Sequence, residues 1–310
     1  MKTSVSEFTF GFMGLGLMGG SLARGIRKYV LSQGNSSGKI LACDIHKASL
    51  EDALLDGVID RGFSYSDVSQ MIPECDLIFV CLYPKATAFF LLEYEQLFSP
   101  HSIITDIAGV KNPLITKISN TWKRTDVVFV PGHPMAGSER EGFAHASSEI
   151  FKGRNYLFLP PIGGREKIEM EGCHFLSQWA TKILKEIALS IGFSRLIDTT
   201  AKVHDHKIAF TSQLCHIIAS ALVDSAEDTE ITAFGGGSFE DLTRIAMINA
   251  PLWTELFLED REELLSHISS FEKSMAIIRK ALEEKDEVLL ENILAKVREK
   301  RISMAKPKNL

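Results

Sequence analysis

The first half of the chain alternates short apolar runs with longer amphipathic stretches. The apolar runs predict strands at residues 8–13, 39–43, 76–82, 102–106 and 127–130. The first amphipathic stretch, residues 17–29, has helical spacing. Such alternation is typical of a parallel α/β sheet, which binds ligands at the carboxyl ends of its strands.

The pattern changes in the second half of the chain. A strand is predicted at residues 155–160, a helix at 166–190 and a last short strand at 194–198. From residue 201 to 306 the spacing is helical, except at the glycine run 235–237. We therefore expect an α/β domain over residues 1–198 and an all-helical domain over residues 199–310.

Composition narrows the class of protein. The 310 residues are 45% hydrophobic and 24% charged, which is ordinary for a globular protein, and the net charge of -6 disfavours nucleic-acid or membrane-surface binding. The five cysteines are scattered and form no C-x-x-C pair, which disfavours a disulfide framework or a zinc site. With no signal-peptide pattern and no apolar stretch of the roughly 18–20 residues that span a bilayer, we expect a cytoplasmic protein.

A glycine-rich turn follows the first predicted strand. It fits G-x-G-x-x-G, which binds the pyrophosphate of a dinucleotide at the start of a helix, and its residues are Gly14, Leu15, Gly16, Leu17, Met18 and Gly19. The motif alone is weak, because glycine turns are common. Its position between a strand and a helix favours a dinucleotide-binding domain of the Rossmann type.

Asp44 ends the second predicted strand, where an acid would accept hydrogen bonds from the adenosine ribose. A carboxylate there repels a 2′-phosphate, so NAD is favoured over NADP. Lys47 follows closely and would soften this preference. The alternative is that Asp44 caps the next helix.

His133 follows the strand at residues 127–130, so we expect it in a loop at the ligand-binding edge. The pKa of a histidine, ordinarily near ~6.5, suits a general base for an alcohol that is being oxidised. A single loop histidine is more often structural, so this residue alone does not establish catalysis.

A polar stripe is predicted at the start of the helical half. His204, Ile208, Ser212 and His216 recur at i, i+4 spacing, which places them on one helix face. No carboxylate or cysteine shares that face. A stripe that lines a cleft is therefore favoured over a metal site, and no metal is expected.

Arg244 follows the glycine run 235–237. Its planar guanidinium suits a carboxylate that must be held by two parallel hydrogen bonds. The alternative is an exposed helical arginine that pairs with Glu240.

Together these segments resemble the prephenate/arogenate (cyclohexadienyl) dehydrogenase family over nearly the whole chain. The most specific stretches are GHPMAGSE at 132–139, the HD pair at 204–205 and GGGSFEDLTRIA at 235–246. The resemblance implies a Rossmann-type domain followed by an all-α domain that forms a homodimer. It also implies an NAD-dependent oxidoreductase of tyrosine biosynthesis that converts prephenate, or arogenate, with loss of CO2.

The family resemblance also assigns roles to single residues. His133 matches the catalytic histidine that bonds the C4 hydroxyl of the substrate ring, and Arg244 matches the arginine that holds the ring carboxylate. Substrate-pocket positions are matched by Ser138, Ser212, His216 and Trp253. Within TDIAGVK at 105–111, Asp106 is assigned to the cofactor together with the glycine turn and Asp44.

Two departures from the family pattern leave the substrate side chain open. Gly109 stands where a serine is usual, and Gln213 stands in a helix that usually reads S-H-L-P-H. Pyruvyl (prephenate) and alanyl (arogenate) substrates both remain possible. Two further alternatives are a β-hydroxyacid dehydrogenase, whose lysine in the second domain is not matched, and an NAD-sensing protein without catalysis.

Overall fold

A computed structural model describes residues 2–32, 36–170 and 172–305. Contacts within the chain form two compact units, Met1–Asp260 and Arg261–Leu310. The boundary expected near residue 198 lies inside the first unit and stays a proposal. Within the described ranges, no helix is both long and apolar enough to cross a membrane.

The strands and helices of the described residues are numbered along the chain. The strands are β1 Thr9–Met13, β2 Lys39–Cys43, β3 Arg61–Phe63, β4 Leu77–Val80, β5 Ile103–Asp106, β6 Val128–Val130, β7 Gly132–Pro134, β8 Asn155–Phe158, β9 Ile162–Gly163, β10 Lys167–Met170, β11 Cys173–Phe175 and β12 Arg195–Asp198. The helices are α1 Leu17–Ile26, α2 Lys47–Leu55, α3 Val68–Met71, α4 Pro84–Glu93, α5 Asn112–Thr121, α6 Leu176–Ser190, α7 Ala201–Ile208, α8 Leu214–Asp224, α9 Gly237–Thr243, α10 Ala250–Glu259, α11 Arg261–Glu283 and α12 Glu287–Ala305.

The main sheet has seven strands in the order β3-β2-β1-β4-β5-β6-β9. Strands β1 to β6 are parallel and β9 is antiparallel to β6. The chain order reverses between β1 and β4, and in such sheets ligands bind beyond the carboxyl ends at this point. The expected Rossmann-type sheet is thus confirmed.

The sheet is stable because both of its faces are buried. Strand β4 is completely buried, and its side chains alternate between two apolar clusters. Phe79 packs in the cluster that contains Trp179 of α6, and Ile78 packs in the one that contains Phe90 of α4. This two-sided burial is the reason that the strands read as continuous apolar runs.

His133 lies on a strand rather than in the loop expected from the sequence. Strand β7 pairs antiparallel with β8, which also pairs parallel with β12, so these three strands form a second small sheet. The register places His133 opposite Leu157. A backbone paired in a sheet fixes the histidine more firmly than a loop would.

The helix predicted at residues 166–190 is wrong in its first part. It begins at Leu176, and β10 and β11 form an antiparallel hairpin before it. The side chain of Gln178 accepts hydrogen bonds from the amides of His174 and Phe175. This capping interaction begins the helix at Leu176 and leaves the preceding residues free to pair as strands.

Two π-helical segments interrupt the helical pattern. Arg27–Leu31 extends α1, and Ala209–Gln213 joins α7 to α8. A π turn carries one more residue per hydrogen-bonded turn than an α turn. The i, i+4 alignment predicted from His204 to His216 is therefore broken between these two histidines.

Helices α11 and α12 make up the second unit. Large apolar side chains on both helices are at least half exposed, among them Ile277, Leu282, Val288, Leu294 and Val297. Exposed apolar area of this extent is unusual for a surface that faces only water.

Candidate active site

The turn between β1 and α1 depends on glycine at two positions. Gly14 has φ of 93°, and a Cβ on it would lie 2.7 Å from the carbonyl oxygen of Cys81. A Cβ on Gly19 would lie 2.0 Å from the carbonyl oxygen of Gly14. Helix and strand can pack this closely only because both side chains are absent.

The same turn leaves room on its outer side. A Cβ on Gly16 would meet no atom within 4 Å, and Gly16 is the N-cap of α1. The first amides of a helix lack partners within the helix and attract anions. Of the remaining motif residues, Leu15 is buried, and Leu17 and Met18 are half-buried. This cradle fits a dinucleotide pyrophosphate.

Asp44 lies beside the turn. Its Oδ2 accepts a hydrogen bond of 2.6 Å from the amide of Leu15, and its Oδ1 accepts one of 2.7 Å from the amide of His46. The N-cap of α2 is His46, with no side-chain cap. The alternative that Asp44 caps this helix is therefore not observed.

Asp106 is fully buried at the end of β5. Its Oδ2 accepts hydrogen bonds from the amide of Ala108 and the Nζ of Lys111, and its Oδ1 accepts one from the amide of Gly132. A carboxylate enclosed by three donors is not presented to a cofactor. Its position indicates that it supports the site, rather than making the direct cofactor contact expected from the sequence.

Lys111 joins the end of β5 to β7. Its Nζ lies 2.6 Å from Oδ2 of Asp106 and 2.5 Å from the carbonyl oxygen of Gly132, and the side chain is fully buried. Burial lowers the pKa of Lys111, and the Asp106 carboxylate opposes this shift. The pair fixes the backbone directly before His133.

His133 contacts a second histidine from the helical half. Its Nδ1 lies 2.9 Å from Nε2 of His204, whose Nδ1 lies 2.7 Å from Oδ1 of Asp205. Burial, His204 and the Lys111 ammonium together lower the pKa of His133 well below its usual range. The neutral imidazole is thereby favoured, which is the form that can accept a proton.

His216 and Trp253 are brought together from α8 and α10. Their rings stack with centroids 3.6 Å apart, and Nδ1 of His216 donates to the carbonyl oxygen of Ser212 at 2.9 Å. Burial lowers the pKa of His216, against the opposing effect of this hydrogen bond. The pair makes an aromatic wall that suits a planar ring.

Arg244 pairs with Glu139 rather than with Glu240, its neighbour in sequence. Its Nη1 lies 3.3 Å from Oε2 of Glu139, and its side chain is 56% exposed. Ser138, which precedes Glu139, is exposed and accepts a hydrogen bond from the amide of Arg140. The guanidinium is therefore open to a small anion from solvent.

The two departures from the family pattern lie in different surroundings. A Cβ on Gly109 would lie 3.9 Å from Cε1 of His133, so this position borders the histidine ring. Gln213 is buried and donates to Oδ2 of Asp260 at 3.2 Å, after the end of α10. Only Gly109 is thus shown to lie beside His133.

Sequence reasoning missed the supporting roles of Lys111, Asp205 and Glu139. The His204-Asp205 pair is visible in the sequence, but its connection to His133 is not. A lysine inside an otherwise apolar segment after Asp106 was the available signal, because a buried ammonium needs a paired carboxylate.

Comparisons with known proteins agree over most of the chain. Residues 24–171 match the model described as prephenate dehydrogenase, nucleotide-binding domain, and residues 200–296 match prephenate dehydrogenase, dimerization domain. A prephenate dehydrogenase of Lactococcus lactis is 28% identical over 288 residues, which cover 90% of this chain and 73% of that protein. A cyclohexadienyl dehydrogenase of Zymomonas mobilis is 27% identical over 294 residues, which cover 90% of this chain and 90% of that protein.

A solved structure extends the agreement to three dimensions. Prephenate dehydrogenase from Aquifex aeolicus, in complex with hydroxyphenyl propionate and NAD+, superposes with a TM-score of 0.80 at 26% identity. The match covers 97% of this chain and 99% of that one. The chain belongs to the prephenate dehydrogenase family of oxidoreductases.

Proposed function

We propose that this protein is an NAD-dependent prephenate dehydrogenase, which converts prephenate to 4-hydroxyphenylpyruvate and CO2. The observation that carries the proposal is the position of His133. It follows β6 at the carboxyl edge of the sheet, the edge that also carries the glycine turn, and it is held neutral by burial and by neighbouring positive charge.

NAD is proposed as the cofactor from the fit of the turn. Gly14 and Gly19 allow the close packing, Gly16 leaves open space, and Asp44 lies where the adenosine ribose would bind. When bound, NAD would accept the hydride from C4 of the substrate ring. The protein then has to position the substrate and take up its hydroxyl proton.

His133 would take that proton at Nε2, because its Nδ1 is bonded to His204. Arg244 would hold the ring carboxylate, which leaves as CO2 when the ring becomes aromatic. His216 and Trp253 would pack along the ring, while Ser138 and Ser212 would bond polar groups of the substrate. The Aquifex aeolicus relative that binds hydroxyphenyl propionate supports an aromatic product of this shape.

The proposal is tested by following NADH absorbance with prephenate, arogenate and a 3-hydroxy acid. We expect turnover with prephenate, and arogenate is the alternative substrate. Turnover with the 3-hydroxy acid alone would contradict the proposal and favour a β-hydroxyacid dehydrogenase. No turnover with any of the three, in protein that binds NAD, would favour an NAD sensor.

Replacing Asp44 by alanine should raise the ratio of kcat/KM for NADP to that for NAD. The change removes a carboxylate that repels a 2′-phosphate. Steady-state kinetics with both cofactors measures the ratio. Asp52→Ala, on the exposed side of α2, is the matched control and should leave the ratio unchanged. An unaltered ratio in Asp44→Ala would place the ribose site elsewhere.

We also propose a homodimer formed through the helical domain. Ile277, Leu282 and Leu294 expose apolar area that a second copy would cover, and residues 200–296 match a dimerization domain. Multi-angle light scattering at micromolar concentration should give twice the mass of one chain. A stable monomer would contradict this proposal without affecting the assignment of the active site.

A further inference from the structure

A chain of hydrogen bonds leads from backbone amides to His133. The amides of Lys111 and Asn112 donate to Oδ1 and Oδ2 of Asp205, at 2.9 and 2.7 Å. Oδ1 of Asp205 also lies 2.7 Å from Nδ1 of His204, and Nε2 of His204 lies 2.9 Å from Nδ1 of His133. His204 and Asp205 are both buried, so water does not compete for these bonds.

The two backbone amides determine which atom donates in each hydrogen bond of this series. A backbone amide can only donate, so each oxygen of Asp205 accepts a hydrogen bond, as the two oxygens of a carboxylate do. Nδ1 of His204 must then carry the proton that it donates to Asp205. Neutral imidazole has one donor and one acceptor nitrogen, so Nε2 of His204 accepts and Nδ1 of His133 donates.

We propose that Asp205 and His204 are positioning residues that hold His133 in the tautomer whose Nε2 is unprotonated. This inference rests on the proposed function for its catalytic meaning, but the tautomer itself is a property of the free protein. The two fixed amides set the direction of the whole chain. Nε2 of His133 is thereby reserved as a proton acceptor before any substrate binds.

The charged groups around Asp205, His204 and His133 favour the same directions of hydrogen bonding. Lys111 is the positive charge near both histidines, and its ammonium is paired with Asp106 and the carbonyl oxygen of Gly132. The carboxylates of Asp205 and Asp106 are the negative groups that act on His204. After Nε2 of His133 takes up a proton, its Nδ1 can still donate to His204, so no bond in the chain has to reverse.

Asparagine at position 205 tests the directions assigned to these hydrogen bonds. With its oxygen toward His204, the amide nitrogen would face the Asn112 amide, two donors in contact. With the amide reversed, its nitrogen would face the Lys111 amide, again two donors in contact, and would donate to Nδ1 of His204. His204 then donates from Nε2, and His133 must carry its proton on Nε2 instead.

The experiment uses the full-length protein labelled with 15N-histidine at about pH 8, above the usual histidine pKa. Side-chain 15N shifts distinguish protonated from unprotonated nitrogens, and the His133→Asn variant assigns the signals. In the unaltered protein we expect an unprotonated Nε2 and a protonated Nδ1 on His133. The opposite pattern would overturn the inference, whatever the enzyme's substrate proves to be.

Kinetics of variants supply the second measurement. Asp205→Asn should lower kcat by roughly 10²-fold or more, as expected when a general base is in the wrong tautomer, with KM changed much less. Asp198→Asn, at the exposed end of β12, is the matched control and should keep full kcat. Asp205→Ala leaves His204 without this acceptor in any orientation, so retention of kcat and of the tautomer in folded Asp205→Ala would contradict the inference.

Substitutions of His204 separate positioning from packing. His204→Gln offers an amide oxygen to Nδ1 of His133 and should retain more kcat than His204→Leu, which fills space but accepts no hydrogen bond. Equal loss in both variants would indicate packing alone and overturn the positioning role. The tautomer seen without any prephenate turnover would instead contradict the proposed function and leave this inference standing.

Discussion

His133→Asn is expected to lower kcat for prephenate by about 10²–10⁴-fold, the usual contribution of a positioned general base. Asparagine can still donate to Nε2 of His204 from the place of the imidazole Nδ1, so the fold should be preserved. It cannot take up the proton from the C4 hydroxyl. Assays of NADH formation under saturating substrate measure the loss.

Cofactor affinity provides the control for this variant. His133 is not part of the glycine turn, so the Kd for NAD, measured by fluorescence or calorimetry, should change little. His174→Asn, an exposed histidine of β11, should retain full kcat. Near-complete turnover by His133→Asn would remove it from the mechanism.

The same residue sets the acid side of the pH profile. A base acts only when unprotonated, so activity is present above its pKa and is lost as pH falls through it. Burial, His204 and Lys111 hold the pKa of His133 well below its usual range. We therefore expect kcat/KM to persist below pH ~6.5, where a solvent-exposed histidine would already be protonated.

Arg244→Gln is expected to lower kcat/KM by about 2–4 kcal/mol in transition-state binding, or roughly 30- to 1,000-fold. The ring carboxylate would lose its charged partner and the two parallel hydrogen bonds of the guanidinium. A rise in KM should account for most of the change, because His133 can still act on substrate that binds at saturating concentration. Initial rates across a wide range of prephenate concentrations separate the two parameters.

Arg244→Lys refines this prediction. Lysine keeps the charge but not the planar fork, so KM should rise, although less than in Arg244→Gln. Arg195→Gln, an exposed residue of β12, is the matched control for loss of a surface cation. An unchanged KM for both prephenate and arogenate in Arg244→Gln would make Arg244 only the surface partner of Glu139.

Five of the seven strands of the main sheet were predictable because they are largely buried on both faces, whereas the short, more exposed edge strands β3 and β9 were missed. A short, continuous apolar run such as 77–80 fits a buried strand better than a helix, and the predicted strands match those observed to within two residues. The glycine turn was predictable because backbone sterics at Gly14 and Gly19 exclude residues with a side chain. Local constraints of this kind are visible in a single sequence.

Features that depend on contacts distant in sequence were not predictable. Arg244 pairs with Glu139, 105 positions away, rather than with its helical neighbour Glu240. The bond between His133 and His204 joins residues 71 positions apart, and no local pattern indicates which histidine faces which.

The π-helical segment Ala209–Gln213 has a consequence for changes in chain length. The π turn takes up one residue more than an α turn, so α7 and α8 are oriented as an unbroken α-helix with one residue fewer would orient them. Deleting one residue here should therefore restore regular α-helix and leave His204 and His216 on their present faces. Each residue of regular α-helix turns the chain by about 100°, so a deletion within α8 would instead rotate every helical residue after it by that angle. This stretch should accept a single-residue deletion more readily than α8 itself.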